Sequence, residues 1–144
     1  MSSSGSLGCK ARVLVVVRVA GLHNWPEAPA APGGYLRHPH RHLFTVRVEW
    51  PVTHSDRDVE FHTAQRWVLR ALGCGDATFV LEFGAKSCEM IARHVLERLI
   101  ADGHPRPMAA EVWEDDENGA RVDLPGVDAP FSEPVRLLDT KAEQ

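Results

Sequence analysis

The sequence lacks the features that mark nucleic-acid-binding, membrane and secreted proteins. Its 144 residues include 16 lysines and arginines against 20 acidic residues, so the formal net charge is −4. Nucleic acid is not an expected partner, because its binding requires clustered basic side chains that displace counterions from phosphates. No run approaches the roughly 20 apolar residues that span a bilayer, and the first ten residues do not resemble a secretory signal. We therefore expect a soluble, cytoplasmic protein with no membrane partner.

Cysteine is also scarce. Cys9, Cys74 and Cys88 are an odd number at wide spacing, which suits neither a disulfide framework nor a Cys-x-x-Cys metal site. A reducing compartment is therefore expected. With 44% hydrophobic residues, the chain is long enough for one domain with a real core and too short for two of ordinary size.

The chain divides into a Ser/Gly-rich leader at 1–9, one domain at 10–124 and a Pro-rich extension at 125–144. Hydrophobic patterning predicts the order strand, strand, helix, helix, strand, strand. The strands are 11–20, 42–50, 108–113 and 119–124, and the helices begin after Asp58 and Ser87. The acidic turn Glu114 to Asn118 joins the last two strands into a hairpin, with Asn118-Gly119 as the turn signal. The order predicts an α+β domain, an antiparallel four-stranded sheet with two helices on one face.

Histidines cluster at the start of the second predicted strand. His38, His40 and His42 fall within five residues, and because side chains alternate along a strand, His40 and His42 point to the same side. His23 follows the first strand and approaches this pair if the two strands are neighbours. Three imidazoles with one open position are a common zinc site. Spacing alone leaves a histidine-rich surface loop as the alternative.

Four short motifs resemble landmarks of the 6-pyruvoyl- and 6-carboxytetrahydropterin synthases, over the region from about 13 to 122. They are one histidine after the first strand, His-Arg-His-Leu-Phe at 40–44, Ser-Cys-Glu at 87–89 and Val-Trp-Glu at 112–114. The resemblance implies the tunnelling fold, in which subunits assemble into an oligomeric barrel and form sites between them. It also implies that His23, His40 and His42 bind Zn²⁺, with His38 as an extra histidine.

The same resemblance assigns a substrate pocket. Glu114 matches a glutamate whose carboxylate accepts two hydrogen bonds from a pterin ring, and Ser87 and Glu89 match the start of the helix that frames the pocket. Taken alone, Glu114 belongs to an acidic turn that would ordinarily be solvated. Ser87, likewise, can be a simple helix cap. Both interpretations stay open at this point.

The sequence departs from these synthases in the groups that move protons. The family carries a cysteine shortly before the His-x-His motif, where this chain has Leu36, and an Asp-His pair that would fall within 74–86, which contains no histidine. Cys88, near a helix start whose dipole favours a thiolate, and His62 are the candidate catalytic replacements. A small buried cysteine and a surface histidine are the plainer alternatives.

The sequence therefore predicts a zinc-dependent lyase of the tetrahydropterin-synthase type. Its substrate would be dihydroneopterin triphosphate or a related pterin or deazaguanine precursor, such as one of queuosine biosynthesis. The alternative is a non-catalytic zinc-containing protein that binds a pterin- or purine-like ligand and has lost the proton relay. A structural zinc domain whose oligomer is the function is a third interpretation. Homo-oligomerisation is expected in each case from the resemblance.

Overall fold

The computed structural model describes residues 10–31, 33–75 and 80–126, so the predicted leader and nearly all of the predicted extension lie outside the described residues. In chain order the elements are β1 (Arg12–His23), β2 (His40–Pro51), α1 (Phe61–Ala71), β3 (Leu81–Gly84), α2 (Cys88–Ala101), β4 (Ala109–Glu114) and β5 (Asn118–Asp123). A short 3₁₀ turn, Gly34–Arg37, lies between β1 and β2. None of the helices in these ranges is long and apolar enough to cross a membrane.

The strands form one mixed sheet in the order β3-β1-β2-β4-β5. The α+β class and the two helices are confirmed. The predicted set of four antiparallel strands is wrong, because Leu81–Gly84 adds a fifth strand that pairs parallel to the end of β1. Leu81 and Phe83 are buried in this strand. The strand was missed because four residues are too few to show a period of two in the sequence.

The turn between β4 and β5 lies in the predicted acidic segment Glu114 to Asn118, just before the Asn-Gly pair. Asp115 and Asp116 have φ values of 52° and 57°, and the amide of Glu117 donates to the carbonyl of Glu114 at 2.9 Å. This is the geometry of a type I′ hairpin turn, and aspartate tolerates the left-handed conformation better than most residues. Asn118 and Gly119 lie in β5, where a Cβ on Gly119 would come within 2.6 Å of the Trp113 ring.

One face of the sheet carries the core and both helices. The buried side chains of β1 and β2 on this face alternate in sequence, as a half-buried sheet requires; they are Val15, Val17, Phe44, Val46, Val48 and Trp50. The buried positions of the helices pack against them and are Ala64, Val68, Ala71, Ile91, Ala92, Val95, Leu96 and Leu99. β1 pairs with β2 along all 12 residues, which gives the ends of these two strands a rigid frame.

The opposite face carries a network of ion pairs. Arg121 Nη1 lies 2.6 Å from Glu49 Oε2, and Arg47 Nη2 lies 2.7 Å from Glu111 Oε2. The hydrogen bond from Arg121 holds the pKa of Glu49 below its usual range, and the one from Arg47 lowers the pKa of Glu111 to about 2. A carboxyl group with a lowered folded-state pKa stabilises the fold above its unfolded-state pKa, and this contribution is lost as the pH falls through the folded-state value.

Arg121 pairs with both Glu49 and Glu111, so its replacement tests how these ion pairs contribute to stability at different pH values. Arg121→Gln is expected to lower the free energy of unfolding by roughly 1 kcal/mol near neutral pH, the upper end for a partly exposed pair. In this variant the pKa values of Glu49 and Glu111 should lie closer to their ordinary values. The difference in the free energy of unfolding between variant and wild type should therefore shrink as the pH falls from about 5 towards about 2.

Urea unfolding across this pH range measures this difference. Arg98→Gln is the control, because Arg98, on α2, pairs with Asp102, the residue that follows this helix, at 2.8 Å, and no other ion pair of Arg98 is found among the described residues. That variant should change stability by no more than ~0.5 kcal/mol. If the stability difference between Arg121→Gln and the wild type stays constant down to pH 2, Arg121 does not act by lowering the pKa of these glutamates.

Candidate metal centre

Three histidines meet where β1 ends and β2 begins. His23 is the last residue of β1 and pairs with His40, the first residue of β2, while His42 pairs with Gly21. One ligand atom from each of the three lies within 4.8 Å of the others. The rings make T-shaped contacts, with centroids 4.6 to 5.2 Å apart. The structure thus brings together the predicted trio, and three imidazole nitrogens at this spacing can hold a metal ion.

The Nδ1 atom of each ring is already engaged. Nδ1 of His23 lies 2.9 Å from the carbonyl oxygen of Lys86, that of His40 lies 2.9 Å from the carbonyl oxygen of His38, and that of His42 lies 2.6 Å from Asp115 Oδ2. A carbonyl or carboxylate oxygen only accepts, so each Nδ1 carries the proton. In the neutral imidazole, Nε2 is then the atom with a free lone pair. Such outer contacts orient metal-binding histidines.

The Nε2 atoms of His23 and His42 are buried, and neither has a hydrogen-bond partner among the described residues. A buried polar atom left without a partner costs roughly 1–3 kcal/mol. A metal ion between the three rings would satisfy both atoms at once. The donor set therefore fits a metal ion better than it fits three ordinary core histidines.

Glu114, at the end of β4, lies directly beside this cluster. Its Oε2 is 3.1 Å from His23 Nε2, and its Oε1 is 3.6 Å from His42 Nε2. These distances suit ion pairs with protonated imidazoles, although neither contact has the geometry of a hydrogen bond. The side chain is 29% exposed. Glu114 therefore contacts the histidine cluster, and its predicted role as a ligand anchor stays a prediction.

Cys88 is buried at the start of α2, and its Sγ donates to Glu114 Oε2 at 3.5 Å. Burial, with a further contribution from the charge of Glu114, raises the pKa of Cys88 to about 12. The helix dipole, which favours a thiolate, is outweighed, so the group is a thiol near neutral pH. Its catalytic assignment stays a prediction, and this environment favours a neutral hydrogen-bond donor instead.

A cavity of about 410 Å³ opens beside the histidines. His23, His40 and Glu114 line it, together with residues at the start of α2 that the sequence had also singled out, namely Ser87, Cys88 and Glu89. Ser87 caps α2, because its Oγ accepts from the amide of Met90 at 3.2 Å. The cap interpretation is confirmed, and the ligand contacts predicted for Ser87 and Glu89 stay predictions.

The structure adds wall residues that the sequence reasoning missed. Trp25, Leu36 and Met90 line the cavity, and Trp25 and Met90 are about half exposed. Trp25 lies in the Pro/Ala/Gly-rich loop, where the only available signal was a tryptophan two residues after His23. Leu36 lies at the position that the resemblance assigns to a cysteine.

Two other histidines take no direct part in the cluster. His62 is exposed in the first turn of α1 and does not line the cavity of this chain, so its role as a proton carrier stays a prediction. His38 contributes its backbone carbonyl to His40, while its own side chain is exposed. Among the described residues, His38 is not part of the group of three histidines that could hold a metal ion.

The fold has a counterpart among solved structures. The chain is similar to the crystal structure of the uncharacterized protein WS1659 from Wolinella succinogenes, with a TM-score of 0.56 and 14% sequence identity. The match covers 80% of this chain and 98% of that one. No protein-family model and no curated protein matches the sequence. At this identity the likeness defines the fold alone.

The histidine cluster predicts one metal ion per chain. We expect metal-stripped protein to bind one equivalent of Zn²⁺ or Co²⁺, and binding to raise the melting temperature, because only the folded state presents the three nitrogens together. His40→Ala should weaken binding by more than ~100-fold, beyond the ~10–100-fold cost of losing an outer contact.

Isothermal titration measures the affinity, and His38→Ala is the matched control. It lies two residues from His40, outside the cluster, and the substitution keeps the backbone carbonyl that orients His40. Equal loss of affinity in both variants, or unchanged binding in His40→Ala, would rule out the trio as the ligand set.

Proposed function

We propose that the protein is a zinc-dependent lyase of the tetrahydropterin-synthase type, acting on dihydroneopterin triphosphate or a related pterin or deazaguanine precursor. The observation that carries the proposal is the pair of buried Nε2 atoms, of His23 and His42, that have no hydrogen-bond partner among the described residues and lie beside Glu114 at the edge of a ligand-sized cavity. His23, His40 and His42 would hold the ion. Zinc bound there supplies Lewis acidity towards a substrate oxygen.

Recognition of the heterocycle is assigned to Glu114 and the cavity walls. Both carboxylate oxygens can accept hydrogen bonds, which suits the adjacent amino and NH groups of a pterin. Trp25 offers a half-exposed aromatic surface for the flat ring. The volume of about 410 Å³ falls within the ~300–1,000 Å³ typical of small-molecule sites.

The proposal includes a homo-oligomer with sites between subunits. β5 is an edge strand of the sheet, and its residues Asn118, Gly119 and Ala120 line the cavity. The outer edge of such a strand presents backbone groups that another strand can pair with. A second copy docked along β5 would therefore approach the cavity and add residues to its wall.

A second candidate, a non-catalytic binder of a pterin- or purine-like ligand, is favoured by the state of Cys88. Its raised pKa makes it a poor base, and among the described residues the cavity is lined by no histidine other than His23 and His40, which are assigned to the metal. Such a protein would keep zinc and the ring pocket and return its ligand unchanged.

Incubation of zinc-loaded protein with dihydroneopterin triphosphate, followed by mass spectrometry, separates the candidates. We expect zinc-dependent release of triphosphate or a changed pterin side chain. Substrate bound but recovered unchanged would support the binder. If the substrate neither binds nor reacts while zinc is bound, both proposals fail.

Glu114→Gln tests the ring contact in the same assay. The amide replaces one acceptor oxygen by a donor, so affinity for the pterin should fall by ~10–100-fold, as expected when a ring donor loses its acceptor. Quenching of Trp25 fluorescence, identified with a Trp25→Phe variant, reports binding. Glu117→Gln, an exposed carboxylate of the same turn, is the control and should bind as the wild type does.

A further inference from the structure

His42 differs from the other two histidines in what orients its ring. Backbone carbonyls of Lys86 and His38 hold the rings of His23 and His40, whereas a side-chain carboxylate, that of Asp115, holds His42 at 2.6 Å. We propose that Asp115 is a positioning residue that fixes the tautomer and orientation of His42 for metal binding. The inference rests on the proposed metal site and adds a residue that the resemblance did not assign.

The carboxylate of Asp115 is itself held in place from two sides. Its Oδ1 accepts from the amide of Leu43 at 2.8 Å, while its Oδ2 accepts from His42 Nδ1. The backbone amide of Asp115 also donates to the carbonyl of Leu43 at 2.8 Å. The carboxylate therefore cannot rotate without breaking contacts to two neighbouring residues of β2. The hairpin turn and the histidine form one connected unit.

This arrangement determines which nitrogen of His42 carries the proton. A carboxylate has no donor, so Nδ1 must donate, and in the neutral imidazole that a metal ion requires, Nε2 keeps its lone pair. Nε2 is buried, faces the cluster and has no hydrogen-bond partner among the described residues. A carboxylate bonded to the outer nitrogen of a metal-binding imidazole also makes the ring a stronger ligand.

An asparagine in this position would reverse the arrangement. The amide of Leu43 requires an acceptor, so the oxygen of Asn would face Leu43 and its NH₂ group would face His42 Nδ1. Nδ1 would then have to accept, which moves the ring proton to Nε2, the nitrogen that the metal needs. The substitution keeps the size of the side chain and suits a left-handed residue, since asparagine tolerates positive φ.

Asp115 lies outside the proposed ligand cavity. It lines a separate, smaller cavity of about 240 Å³ with Ala20, Arg41, His42 and Leu43, and it is absent from the lining of the larger one. A change at this position therefore acts on the metal through His42 and leaves Glu114 and the aromatic wall in place.

The test compares Asp115→Asn with the wild type in the full chain. We expect the Zn²⁺ affinity, measured by competition with a chromophoric chelator, to fall by ~10–100-fold. In the metal-free protein, long-range ¹H–¹⁵N NMR spectra of the imidazole rings should show His42 changing from the Nδ1-H to the Nε2-H tautomer. A merely structural role of Asp115 would not move this tautomer signal.

Asp116→Asn is the matched control. Asp116 belongs to the same turn, has a similar φ of 57°, and accepts a hydrogen bond from Thr45 Oγ1 at 2.7 Å instead of contacting a histidine. It should keep wild-type affinity and the wild-type tautomer. An equal loss of affinity in this variant would point to the fold of the turn and overturn the proposal.

Unchanged affinity in Asp115→Asn, or weaker affinity with His42 still in its Nδ1-H form, would likewise overturn the proposal. A wild-type protein that binds no Zn²⁺ would refute the proposed function. In that case the NMR spectrum of the metal-free protein still decides whether Asp115 sets the tautomer, so the two failures are distinguishable.

Discussion

The register between β1 and β2 is the constraint on which the site depends. His23 opposes His40 only because the two strands pair along their full length. The histidines share a face of the sheet with the buried residues Val15, Val17, Phe44 and Val46, so burial of the core fixes which way the imidazoles point. If the register slipped by one residue, the core residues of one strand would point to the solvent-facing side of the sheet and the histidines would separate. Such a slip is disfavoured because the apolar side chains would lose their burial.

The floor of the site is apolar, and this makes the histidine nitrogens costly to leave without a partner. The ring of Phe44 makes T-shaped contacts with the rings of His23 and Phe83, whose centroids are 5.2 and 5.0 Å away. A Cβ on Gly21 would lie 2.6 Å from the Phe83 ring, so glycine is what allows this close layer. Beneath a metal ion, such a layer excludes water and strengthens electrostatic interactions. β3 thus contributes Phe83 to the floor and leads into Lys86, whose carbonyl orients His23.

The sequence was sufficient for the parts of the site that follow from local periodicity. Alternation along β2 and the position of His23 just past the predicted end of the first strand were enough to predict that the three histidines lie together. The contacts that orient the rings were not predictable, because Lys86 and Asp115 lie 63 and 73 residues from their histidines and only the tertiary fold joins them. β3 was too short to show a period. The acidic turn of the last hairpin was predicted in the right segment, and Asn118 and Gly119 pair with Glu114 and Trp113.

The same contrast between local and tertiary effects decides how Cys88 should be understood. The helix start alone favours a thiolate, but the buried position beside Glu114 favours a thiol that donates its proton to Oε2. A donating thiol leaves Oε1 and the remaining lone pair of Oε2 free to accept other hydrogen bonds, and it restrains the carboxylate beside the histidine cluster. Cys88 therefore suits the task of orienting Glu114 better than that of a base. A lyase built on this site must take its base from elsewhere, such as a second subunit at the β5 edge, whereas a ligand-binding protein needs no base at all.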